Sequence, residues 1–230
     1  MKKRALRAAF PHTIPVLTGY LVLGISYGVL MTASGFPFWV PMVTSLTIFA
    51  GSMEFLLVNL LMSGFDLLQA FLMTLMVNAR HLFYGISMLD KYRNMGLKKL
   101  YLIFGLTDES FSIACAIEPP EDVDRSWFMF FVTLLDHSYW FLGATLGGIF
   151  GSILHFNTQG LDFVMTAMFV VIFLEQWGKD KNHLPALLGT ALPVVCLVLF
   201  GADRFMIPAM AAILLGLTLV RKPLEREVNA

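Results

Sequence analysis

The chain has 230 residues, of which 57% are hydrophobic and only 14% charged, with a mean hydropathy of +0.74; such a composition does not fit a soluble surface and reads as an integral membrane protein. At about 20 apolar residues per bilayer crossing, seven or eight crossings would use about 140 to 160 residues, which excludes a separate soluble catalytic domain. Sixteen basic and sixteen acidic residues cancel, so no basic field argues for nucleic acid as a partner.

The N-terminal stretch carries Lys2, Lys3, Arg4 and Arg7 without a small-residue cleavage site after a short apolar core, and is expected to lead into an uncleaved first helix. No charged residue falls between Thr13 and Met53. Within that stretch Gly35, Pro37 and Pro41 separate a first helix at about 12–33 from a second at about 41–63. A third segment is predicted at about 67–89. The basic stretch from Lys91 to Lys99 follows it, of the kind that stays cytoplasmic. A short fourth segment at about 100–117 precedes an acidic, proline-bearing loop from Glu118 to Asp124. Further segments are predicted at about 127–152, 161–178, 184–202 and 204–220, with short polar tails at 1–10 and 221–230.

If every segment crossed fully from a cytoplasmic N-terminus, the basic 91–99 loop would lie outside, against its charge. The segment at 41–63 is the one to doubt. Phe49-Ala-Gly-Ser-Met-Glu-Phe55 places glycine, serine and a carboxylate at mid-depth, the pattern of a broken or re-entrant backbone lining a cavity. The expected fold is therefore an all-α, polytopic bundle of about seven transmembrane helices (six to eight). It forms one transporter domain over 1–230, with a broken or re-entrant segment near 45–60. Two weakly repeated halves are also visible: Tyr20-x3-Gly24-x3-Gly28 recurs as Tyr139-x3-Gly143-x3-Gly147, and Met73-Thr-Leu-Met76 as Met165-Thr-Ala-Met168.

Charged side chains inside apolar segments cost at least about 2.5 kcal/mol each on insertion scales, so each is a functional candidate by default. They are Glu54, Arg80, Asp108, Glu109, Asp136 and Glu175. Thr74, Asn78, His81 and Gly85 fall on one helical face that must meet protein or water, where His81 could shuttle a proton; the alternative is interhelical hydrogen bonding. Arg80 points away from that face, as a carboxylate anchor or as partner of an acidic residue, Asp136 among them. Asp136 shares a face with Trp140, Gly143 and Gly147, and the four-residue glycine spacing continues to Gly151, a ridge suited to close approach of another helix or of a partner subunit. Asp108 and Glu109 project about 100° apart and suit proton coupling, or else lie wet at an interface. Glu175 precedes Gln176 and Trp177, near a segment end where it either acts or reaches water. Cys115 and Cys196 lie in apolar context as small hydrophobes.

No His-Glu-x-x-His or Gly-x-x-x-x-Gly-Lys-Ser/Thr is present, so the sequence does not read as a metalloprotease or an ATP-driven pump; the chain is not expected to be an enzyme, and no catalytic residue, metal or cofactor is expected. A secondary carrier, a passive channel or a non-transporting accessory subunit stay open.

Over nearly its whole length the chain resembles the AzlC-type branched-chain amino acid permeases. The resemblance rests on Pro15 with Tyr20, Gly24 and Gly28, on 49–55, on Asn78-Ala-Arg-His81-Leu-Phe-Tyr84, on Leu106-Thr-Asp-Glu-Ser-Phe111 and on Glu175-Gln-Trp177. One position departs: the family usually has Gln where this chain has Glu54. The resemblance implies export of valine, leucine, isoleucine and methionine across a bacterial cytoplasmic membrane, coupled to the proton motive force, with a small AzlD-type membrane protein as second subunit. Combined with the residues above, it points to a site framed by Gly51, Ser52, Asn78 and His81. Phe49, Phe55 and Met73 would receive the aliphatic side chain, and Glu54, Asp108 or Glu109 would carry the proton.

Overall fold

The computed structural model describes residues 2–64, 66–153, 182–201 and 205–228, with single residues or pairs between 163 and 178. Among the described residues every regular element is a helix: α1 (Lys2–Ala33), α2 (Trp39–Thr47), α3 (Gly51–Met62), α4 (Leu67–Val77), α5 (Ala79–Met88), α6 (Lys98–Phe104), α7 (Asp108–Ala116), α8 (Arg125–Ile153), α9 (Leu184–Phe200) and α10 (Met206–Val228). By length and hydropathy α1 is the one described helix that passes as an unbroken membrane span. Two compact units emerge, 1–165 and 166–230.

Three of the predicted segments are broken rather than continuous. The break expected near 45–60 lies at 48–50, between α2 and α3, where Phe49 adopts φ +48°. A left-handed conformation costs a non-glycine residue about 1–2 kcal/mol, and here it turns the chain out of α2. The 67–89 segment, read as one helix, is instead divided at Asn78 (φ −95°, ψ 6°) into α4 and α5. The 100–117 segment is divided at 105–107 into α6 and α7, with Thr107 extended. Its side chain accepts from the Ser110 amide while the Ser110 hydroxyl accepts from the Thr107 amide, a reciprocal cap that starts α7 afresh. The N-terminal residues predicted as a polar tail are helical too, because α1 runs from Lys2 through Pro11 and Pro15.

The first unit is organised around the crossing of α1 and α8. The two repeated motifs are the two sides of this crossing. Gly24 meets Gly143 and Ala144, and Gly28 meets Ala144, Gly147 and Gly148, backbone against backbone. A Cβ on Gly24 would stand 2.9 Å from the Ala144 nitrogen. The Thr13 and Tyr139 hydroxyls hydrogen-bond across the same seam at 3.1 Å. The Gly143/Gly147/Gly151 ridge is therefore filled by α1 of this chain, with Gly151 lying against Val29 and Thr32, which corrects its assignment to a partner subunit. The Met165 and Met168 part of the repeat lies outside the described residues.

Toward one end of this unit, Met88, Tyr92, Met95, Leu102, Ile113, Phe128 and Met129 form the main apolar cluster. Lys91 donates to the Ala114 carbonyl at 2.7 Å, satisfying the C-terminal end of α7 and tying the 89–97 loop to it. In the second unit α9 and α10 pack as a pair, with Gly216 against Leu192.

Candidate functional site

The three breaks bring the starts of α3, α5 and α7 together. From α5, Arg80 pairs with Asp108, the first residue of α7, at 3.0 Å, and donates to the Ser52 hydroxyl of α3 at 3.5 Å. One guanidinium thus ties three helix starts. Each side chain of the pair is about one third exposed (35% and 32%), and the Arg80 Nε and the Asp108 Oδ1 are left without partners. The partner of Arg80 is Asp108, not Asp136, which corrects that pairing.

The start of α5 also supplies Asn78 and His81 to a cleft of about 570 Å³. Its walls are mainly apolar, with Ile48 and Phe49 from the first break, Leu82 and Ile86 from α5, and Ile103 and Phe104 from α6; Lys99 also lines it. Of the polar face predicted from Thr74, Asn78, His81 and Gly85, the last three border a cavity, whereas Thr74, beyond the break at Asn78, donates to the Met53 sulfur at 3.5 Å. Gly51, at the start of α3, instead faces the Trp140 ring. Of the apolar residues proposed for the aliphatic side chain, Phe49 lines the cleft, whereas Phe55 is fully buried against Tyr27, and Met73 is absent from the cleft walls.

Phe49 is held in its unusual conformation by its ring, which stacks on His137 at 4.4 Å and meets Tyr20 edge-on at 6.3 Å. His137 itself lies 3.2 Å from the Ser45 carbonyl through Nε2 and 2.9 Å from the Tyr101 hydroxyl through Nδ1. A carbonyl only accepts, so Nε2 carries the hydrogen and Nδ1 accepts from Tyr101. His137 is thus a brace for the α2–α3 break rather than a free base.

Glu54 braces the other side of that break. It is fully buried, and its Oε1 accepts from the Ala50 amide at 3.0 Å and from the Trp140 indole at 2.9 Å. Asp108 and Glu109 diverge, as their spacing predicts. Asp108 turns to Arg80, and Glu109 accepts from the Tyr20 hydroxyl of α1 at 2.5 Å. Asp136 is fully buried in the middle of α8, with neither oxygen hydrogen-bonded. Glu175 lies outside the described residues.

Trp140 shares the Asp136 face in the sequence, but its bond to Glu54 does not follow from periodicity. Nor does the Tyr20–Glu109 bond, because both join residues more than 80 positions apart. Thr107 and Ser110 did leave a local signal, two hydroxyls three residues apart ahead of an apolar run. Among the described residues no three His, Cys, Asp or Glu side chains come together as a metal site.

A family model described as AzlC protein matches residues 15–154. The chain belongs to the AzlC family. It is 61% identical to the branched-chain amino acid transport protein AzlC of Bacillus subtilis (strain 168), over 96% of this chain and 87% of that relative. It is 45% identical to an uncharacterized membrane protein of Haemophilus influenzae, over 98% of this chain and 93% of the relative. A third relative, an uncharacterized membrane protein of Helicobacter pylori (strain J99), is 42% identical over 96% of this chain and 97% of its own length. No solved structure matches. As a member of the AzlC family the chain is a helical membrane protein, and the matched stretch contains the whole α1–α8 crossing from Pro15 onward, the three breaks and the cleft.

Proposed function

We propose that this AzlC-family chain is the large subunit of a secondary transporter in the bacterial cytoplasmic membrane. It exports valine, leucine, isoleucine and methionine in exchange for protons, and works with a small AzlD-type membrane subunit. About seven crossings result if α1, α8, α9 and α10 span directly and the pairs α2–α3, α4–α5 and α6–α7 each span as a broken helix. The substrate class is supported by the identity to the Bacillus subtilis branched-chain transport protein. The observation that carries the mechanism is the start of α5, which gives Asn78 and His81 to an apolar cleft and Arg80 to an ion pair beside it.

An amino acid zwitterion needs a cation for its carboxylate, an anion for its ammonium and an apolar wall for a branched side chain. Arg80 supplies the first, planar and permanently charged. Asp108, with one oxygen unpartnered, supplies the second. The uncapped amides at the start of α5 add a favourable field for the carboxylate. Ile48, Phe49, Leu82, Ile86 and Ile103 supply the wall, in a cleft within the roughly 300–1,000 Å³ range of small-molecule sites. Without substrate the two charges satisfy each other, so the pair is both the lock on the empty site and the recognition element of the filled one.

Efflux from cells preloaded with dipeptides of isoleucine, leucine, valine and methionine, expressing the chain with and without an AzlD-type protein, tests the reading. The expected result is saturable efflux that needs both chains and collapses when the proton gradient is dissipated. Flux that never saturates would indicate a pore, and no efflux of any of the four would overturn the substrate class.

A further inference from the structure

Asp136 has no role in the substrate site described above, yet it is the most isolated charged group near it. It is fully buried, and neither oxygen has a hydrogen-bond partner. Arg80, Asp108, Glu109 and Glu54 each have at least one. Among the described residues no cation pairs with Asp136; those in ion pairs reach Asp122, Asp108 and Glu118. An unaccompanied buried carboxylate carries a desolvation penalty of several kcal/mol, and an ionisable residue inside a membrane helix is by default a functional candidate.

The titratable groups near enough to act on it electrostatically come from three elements: Tyr20 from α1, Tyr101 from α6 and Glu109 from α7. Of the other elements near it, α2 has no titratable side chain. His137 turns its ring to Tyr101 and Ser45, and Glu54 of α3 is bound one helical turn away at Trp140. These groups offer two phenols and a carboxyl already taken by Tyr20, which is a poor shell for a metal cation. A proton needs no shell beyond the Asp136 oxygen itself.

The geometry points to Asp136 as the proton-binding residue of the transport cycle, with α7 as the link to the substrate site: its first residue, Asp108, holds Arg80, and its second, Glu109, is held by Tyr20, whose ring meets Trp140, one helical turn from Asp136, edge-on at 5.6 Å. This inference rests on the proton-coupled reading above. In the step it describes, a proton from outside adds to an Asp136 oxygen, turning carboxylate into carboxylic acid, and leaves toward the cytoplasm when the carboxyl ionises again. No bond in the amino acid changes. Because the zwitterion has no net charge, each proton entering moves one positive charge inward as leucine leaves.

Inside-out membrane vesicles holding the chain and its AzlD-type partner test this with labelled leucine, which export would concentrate in the lumen. Wild-type vesicles with an acid lumen are expected to accumulate leucine, and Asp136→Asn to lose that accumulation while still exchanging labelled for unlabelled leucine. Glu54→Gln is expected to keep the accumulation, because glutamine still accepts from Ala50 and Trp140. Accumulation by Asp136→Asn, or loss of exchange together with accumulation in a variant that inserts normally, overturns the assignment. So does Glu54→Gln losing accumulation while keeping exchange. If Asp136→Asn does not insert, dicyclohexylcarbodiimide, which modifies protonated carboxyls in apolar surroundings, serves on the wild type. Modification at Asp136 that blocks export is expected; modification confined to Glu54 or Glu109 contradicts it. Wild-type vesicles with neither exchange nor accumulation would refute the transporter reading itself.

Discussion

Gly28→Ala is expected to prevent the chain from reaching its folded state in the membrane. A Cβ at this position would overlap the Ala144 carbonyl oxygen and the Gly148 nitrogen. These are backbone atoms of a 29-residue helix and cannot swing aside as the end of a flexible side chain would. Overpacking a well-fitted interior typically costs about 1–3 kcal/mol and occasionally more. The upper end is expected here, because α1 and α8 must separate along the whole seam. Gly147→Ala meets the backbone of Ile25 in the same way. At Gly24 and Gly143 the nearest atoms would be 2.9 Å away, so a smaller shift suffices and a smaller loss is expected. Gly19, in the same helix, has nothing within 4 Å of the added carbon; Gly19→Ala should gain up to about 1 kcal/mol of helix propensity. The check is the amount of monodisperse protein recovered in detergent and its thermal midpoint across this series. Equal tolerance at Gly28 and Gly19 would mean that the α1–α8 crossing is not as described.

Arg80→Gln and Asp108→Asn are each expected to lower leucine export about tenfold to a hundredfold, corresponding to about 1.4–2.7 kcal/mol for stranding one partner of a close charge pair. The lower part of that range applies if solvent at the one-third-exposed pair screens the stranded charge. The informative comparison is the double variant. Because the pair is shared, Arg80→Gln with Asp108→Asn is expected to export less than either single variant but more than the product of the two losses predicts, since the second change removes a charge that the first had stranded. Losses that multiply would mean the two side chains act independently. Export rates normalised to the amount of protein in the membrane decide between these outcomes.

Much of this site could be read from the sequence because membrane insertion makes charges conspicuous. Glu54, Arg80, Asp108, Glu109 and Asp136 each stood out against an apolar background, and the break in 41–63 followed from a charge imbalance between loops. What local pattern could not supply was partnership. Arg80 finds Asp108 28 positions away because two further helices are broken, at Asn78 and at 105–107. Neither break is marked by proline, and only the second has glycine beside it. Asn78 ends α4 with an ordinary right-handed bridge conformation that many residues adopt. The glycine ridge was visible as a ridge, but periodicity does not say which helix lies against it. The matching glycines of α1 hold that answer, because the same spacing that marks a repeat also marks an opposing face.

The most direct test of the cleft as the substrate site is protection of a single cysteine placed in its wall. Gly85 lines the cleft and has nothing within 4 Å of an added Cβ, so Gly85→Cys fits without strain. Of the two native cysteines Cys196 is buried, and the exposed Cys115 is replaced by serine. Leucine is expected to slow the reaction of the introduced thiol with a membrane-impermeant maleimide in a saturable manner, at concentrations that also saturate export, while glycine and lysine leave it unaltered. Labelling that proceeds at the same rate with and without leucine, in protein that still exports it, would place the substrate elsewhere and contradict the account.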